Sequence, residues 1–144
     1  MEDQQPRYKI TEEHAAKFAY YVLDWQEKLS LSNYKIYISM KHNRDENTYA
    51  ETESSSEYKT ATIEINDYWV TDPTDEFLDE IAFHEVSEIL LYPMGEALEK
   101  FYSKEYINIL THNIIRTWEN LIFRKDGMIR DRDIKKKKVK SIVG

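Results

Sequence analysis

Cysteine is absent from the 144-residue chain, and glycine and proline occur only three times each. Without cysteine there is no disulfide frame, no thiolate zinc finger and no cysteine nucleophile. The glycines, Gly95, Gly127 and Gly144, stand far apart. A P-loop and a dinucleotide fingerprint both need closely spaced glycines, and a nucleophile elbow needs a serine flanked by them, so all three are excluded. Apolar runs are short, Ile89-Leu90-Leu91-Tyr92 among them, and none approaches the roughly 20 residues that span a bilayer. The N-terminal Met1-Glu2-Asp3-Gln4-Gln5 lacks the basic and apolar regions of a secretion signal. The expectation is a soluble, cytoplasmic protein with no membrane contact.

What the chain does have is core-forming material: 41% hydrophobic and 13% aromatic residues, including eleven tyrosines. That content argues against wholesale disorder, and the length suits one domain. The net charge of −7 is unevenly placed. Residues 130–144 hold seven Lys/Arg against two Asp, a balance of +5, so the other 129 residues carry 13 basic and 25 acidic side chains, or −12. The expected organisation is a single domain over 1–129 and a basic, flexible tail over 130–144. An acidic body is a poor general binder of nucleic acid. The lysines Lys135, Lys136, Lys137, Lys138 and Lys140 could contact phosphates, or could simply form a solvated tail.

Periodicity predicts an α+β chain. Thr11 followed by Glu12 and Glu13 marks a helix start, and apolar residues at Phe18, Ala19, Val22, Leu23 and Trp25 carry that helix to about Leu29. Ile36, Ile38 and Met40 alternate as in a strand, as do Ala61, Ile63 and Ile65. Between them, Thr48 to Glu53 reads as a weak edge strand or loop. A second helix is expected from Asp75 to Leu91, closed by Pro93 and Gly95. A short helix over Glu96 to Tyr102 and a long one from Lys104 to Phe123 complete the reading. The expected fold is an N-terminal helix, a small three-stranded, mainly antiparallel sheet, a buried helix and a long C-terminal helix.

The second helix is apolar around most of its circumference, yet carries His84, Glu85 and Glu88. Burying an unpaired carboxylate costs several kcal/mol, so these groups need a metal, a cation or a proton. His84 and Glu88 are one helical turn apart on one face and can reach a single ion. Glu85 points roughly 100° away, where the general base of an H-E-x-x-H helix lies. In that arrangement a metal acidifies a water and the glutamate takes its proton during attack on a carbonyl. Here the motif is His84-Glu85-Val86-Ser87-Glu88. The spacing equally allows a buried His84–Glu88 hydrogen bond with Glu85 in solvent. His14 and His42 read as surface residues without partners, while Tyr92 and Tyr102 are candidates to stabilise an oxyanion.

The order of segments from Phe18 to Phe123 resembles the small zincin-like metallopeptidase domains common in phage genomes, related in plan to SprT-like proteases. The residues that carry the likeness are Ser32 to Ile38, Ala61 to Asn66, Asp79 to Leu91 and His112 to Leu121. The resemblance implies a Zn²⁺-dependent peptide hydrolase, located in the host cytoplasm if phage-encoded. It places the third metal ligand at His112, seven residues before Glu119. The chain departs from the family pattern twice, with Glu88 where histidine is expected and His112 where an acid is expected. Together His84, Glu88 and His112 would still supply two imidazoles and one carboxylate, a set that also suits Fe²⁺ or Mn²⁺. Three functions follow as expectations. One is peptide hydrolysis with Glu85 as general base. Another is an inactive zincin-fold protein that binds a host protein. The last is nucleic-acid association through the tail.

Overall fold

A computed structural model describes residues 6–44 and 47–124; the basic tail lies outside the described residues. The elements are β1 (Tyr8–Lys9), α1 (Glu12–Lys28), β2 (Lys35–Lys41), β3 (Ala50–Ser55), β4 (Thr60–Asn66), β5 (Tyr68–Trp69), α2 (Asp75–Leu98) and α3 (Lys104–Ile122). The architecture is α+β: three helices and a small sheet.

Each helix starts on a hydroxyl cap, because the first N–H groups have no intrahelical acceptor. Thr11, Thr74 and Ser103 accept from the backbone N–H groups of His14, Phe77 and Tyr106. His14 is engaged rather than free: its Nδ1 accepts from the Thr11 N–H at 3.1 Å, completing a reciprocal cap. His42, likewise expected to lack a partner, lies 2.8 Å from the Asp67 carboxylate.

The sheet order is β2-β4-β3. β4 runs antiparallel to β3, with Thr52 opposite Ile63, but parallel to β2, with Ile38 opposite Ile63. The sheet is therefore mixed rather than mainly antiparallel. The reason is topological: the chain passes from β2 out to the edge strand β3 and turns back into the gap between them. That central place fits the composition of β4, whose Ala61, Ile63 and Ile65 are almost fully buried. A two-stranded ribbon, Tyr8 opposite Trp69, adds a second small sheet that the pattern did not announce. β3 lies at the edge, as expected for its weak apolar content, and packs beside α2.

α2 is the central element, packed against α1, α3 and β3. Phe18 and Val22 of α1, Ile63 and Ile65 of β4, and Leu78, Val86 and Ile89 of α2 meet in one core. The helix does not stop at Leu91. It continues through Pro93 to Leu98 and takes in the first three residues of the separate short helix expected over Glu96 to Tyr102, which does not form. Proline removes one backbone donor and crowds the preceding turn, but here tertiary packing outweighs that local break. A Cβ on Gly95 would lie 3.3 Å from Ile107 Cγ2, so the last turns of α2 sit closely on α3.

The inward sector of α3 is rotated from the apolar stripe that its helical spacing marks out, Ile107, Leu110, Ile114, Trp118, Leu121 and Ile122. Ile107 and Ile115 are buried, whereas Leu121 is 52% exposed, and the partly covered Glu119 and His112 fall on the side turned to α2. The polar flank of α3 is thereby brought against the polar residues of α2. Among the described residues, no helix is long and apolar enough to cross a membrane.

Candidate metal centre

Three side chains from two helices converge. His84 and Glu88 project from successive turns of α2, and His112 projects from the facing side of α3. One donor atom from each lies within 4.8 Å of the others, a group that could hold a metal ion. Glu88 Oε1 is 3.8 Å from His84 Nε2 and 3.3 Å from His112 Nε2. The two imidazole rings stand 5.4 Å apart, centroid to centroid.

Both rings are held from behind. His112 Nδ1 lies 2.8 Å from the Asn108 carbonyl oxygen. A carbonyl only accepts, so Nδ1 carries the proton and Nε2 keeps its lone pair toward the cluster. His84 Nδ1 lies 2.9 Å from the Glu119 carboxylate, which orients that ring in the same sense. Outer hydrogen bonds of this kind fix the tautomer and raise the basicity of a metal-binding imidazole. Two imidazoles and one carboxylate, with both outward ring nitrogens already engaged, are chemically suited to a divalent cation.

Glu119 is itself supported. It shares a hydrogen bond with Glu80, whose Oε1 lies 2.6 Å from Arg124 Nη1. Burial pushes Glu80 above the usual carboxylate range, and the Arg124 guanidinium opposes this. Burial acts on Glu119 in the same direction, but the hydrogen bond and charge of His84, with help from Glu80 and Arg124, hold it below its ordinary value. Burial alone would lower His84; the Glu119 hydrogen bond and the charges of Glu85, Glu119 and Glu80 raise it instead.

Glu85 lies on the other side of the helix from this chain of contacts. Its side chain accepts a hydrogen bond from Thr52 Oγ1 of β3. Residue burial, the charge of Glu88 and a hydrogen bond with Glu88 push the Glu85 carboxyl up to about 8. Glu88 is also raised, by burial. A proton is therefore shared between the two carboxyls at neutral pH. An open cleft of about 490 Å³ lies over the cluster, between the β3 backbone and the helices. His84, Glu85, Glu88 and His112 line it together with Thr52 and Glu53.

All four residues singled out in the sequence thus meet in one place, Glu85 beside the donor group rather than within it. Tyr92 and Tyr102 do not line this cleft; Tyr92 borders a neighbouring recess and Tyr102 stacks on Tyr106. Lys135, Lys136, Lys137, Lys138 and Lys140 lie outside the described residues. Sequence reasoning gave no role to Glu119, Glu80, Arg124 or Thr52. For two of these a signal was present: Glu119 follows His112 by two helical turns, and Glu80 precedes His84 by one, so each shares its histidine's helix face. No protein-family model matches the chain, and neither does a curated protein or a solved structure.

Proposed function

We propose that this protein is a metal-dependent peptide hydrolase of zincin-like plan, with Zn²⁺ held by His84, Glu88 and His112. The observation that carries the reading is the convergence of three donors within 4.8 Å, both outward ring nitrogens already engaged, beside a buried carboxyl and an edge strand. A zinc ion at such a site acidifies water for attack on a carbonyl. Glu85 is the group placed to take the proton, and Thr52 holds its carboxyl against β3. Once Glu88 binds a cation it no longer competes for the shared proton, so Glu85 can ionise and act as a base. β3, paired on one side only among the described residues, can receive an extended peptide by strand addition.

Metal content by mass spectrometry on the purified chain, beside His84→Ala, Glu88→Ala and His112→Ala, tests the site. About one zinc per chain, lost in each variant, is expected; iron or manganese in its place would reassign the ion, and a folded chain that takes up no divalent metal would sink the reading. Cleavage of peptides that disappears in Glu85→Gln tests the chemistry.

A second reading has one observation in its favour. Glu85 is only 4% exposed and is turned to Thr52 and Glu88. A chain that binds zinc but cuts no peptide would be a binding protein that uses the same cleft.

A further inference from the structure

A second recess, of about 220 Å³, opens beside the metal cleft and shares Thr52 and Glu88 with it. Its floor is apolar, formed by Leu91 and Ile107 around Gly95. At Gly95 a Cβ would press on Ile107 at 3.3 Å, so the bare glycine lets α2 and α3 meet closely at the base of the recess. The rim is acidic: Glu96 and Glu99, both exposed, stand on the last turns of α2. Glu96 accepts a hydrogen bond from Ser56 Oγ, which ties this rim to the turn after β3. Lys104, at the start of α3, is the basic residue lining the recess.

We propose that this recess is a specificity pocket for a lysine or arginine side chain of an extended peptide aligned on β3. The acidic rim and the neighbouring cleft favour that ligand over a wholly apolar one. A methylene stem fits the Leu91–Ile107 floor while its charged head reaches the glutamates, the burial pattern that long basic side chains adopt. A strand added to the edge of β3 that is unpaired among the described residues turns alternate side chains toward the helices, and Thr52 lines both recess and cleft, so a residue two positions from the metal-facing one enters the pocket. The cleft adds Glu51 and Glu53 to the acidic surroundings, which attract a basic chain at long range. Lys104 opposes the two glutamates and limits the preference. The inference rests on the proposed reading only in taking a peptide as the ligand; it needs no turnover.

Binding to the full chain without added metal tests it, using blocked octapeptide libraries with one position at a time set to lysine, arginine or norleucine and fluorescence anisotropy as readout. At one position the lysine and arginine sets should bind about fivefold more tightly than norleucine, the scale of partly exposed ion pairs, and less so in high salt. Glu96→Gln with Glu99→Gln should erase the preference, whereas Lys104→Gln should widen it. A merely structural role for these exposed residues would not move the preference in opposite directions. Equal or tighter norleucine binding, a preference narrowed by Lys104→Gln, or no peptide binding would overturn the proposal. Added Zn²⁺ then separates the two ideas: basic peptides bound but never cut would remove the hydrolase and leave the pocket.

Discussion

Two carboxyl pairs meet at α2, one of them shared with α3, and they differ in how their charge is met. Glu80 and Glu119 lie on the His84 side, between the Arg124 guanidinium and the imidazole. Glu85 and Glu88 lie toward β3, where Thr52 contributes one neutral donor and the nearby charged partners are the histidines. The first pair is met by a fixed cation at Glu80 and by His84, whose hydrogen bond and charge do most to hold Glu119 below its ordinary value. The second is compensated by a proton, and protons can be exchanged for a divalent ion. Similar residues around one helix thus do different work: one pair is scaffolding, the other is poised to change its charge state.

Three substitutions test that contrast. The largest effect is expected for Glu119→Ala, which releases His84 Nδ1 and should weaken metal binding about 10–100-fold, as loss of such supporting groups typically does. Zinc titration against a chromophoric chelator measures it, and unchanged affinity would show that Glu119 is not part of the centre.

Next comes Glu85→Gln. A carboxyl whose folded pKa is raised favours the folded state most at low pH, and that contribution is lost as pH climbs from the ordinary carboxylate range toward about 8. The metal-free wild type should therefore lose stability over that interval, and Glu85→Gln should not. At pH 8 the variant should be the more stable, and the advantage should vanish near pH 4. Urea unfolding at both pH values checks the sign; a destabilised variant at pH 8 would refute the shared proton.

The smallest effect is expected for Arg124→Gln. The guanidinium is half exposed, so screening limits the loss to about 1 kcal/mol at pH 7. Glu119 is held below its ordinary value, so its share of that stability is present above the usual carboxylate range and fades as pH falls below it. Thermal melts at pH 7 and pH 3 should show the gap between variant and wild type closing in acid.

Much of the fold can be read from local pattern. α1, β2, β4 and α3 appear close to where periodicity puts them, because their apolar faces repeat at helical or strand spacing and Thr11 marks the first helix start. The far end of α2 was not legible, since Pro93 and Gly95 are local stop signals, yet the helix runs through both and seats Gly95 on Ile107 of α3. The parallel pairing of β2 with β4 was also hidden, since an alternating strand does not encode the direction of its neighbour.

The candidate site divides in the same way. His84 and Glu88 share a face by the geometry of one helix, so four residues of spacing sufficed to pair them. His112 entered the sequence reading only through a family resemblance, because the rotation of α3 about its own axis is not written in its apolar stripe. Sequence alone determined that α2 would be a mostly apolar helix burdened with polar groups that demand compensation, since residue type and the 3.6-residue period are local properties. The tertiary structure decided what compensates them. Packing set the rotation of α3 that brings His112 and Glu119 to α2, and it laid the edge of β3 against Glu85, contacts between elements that no local period records.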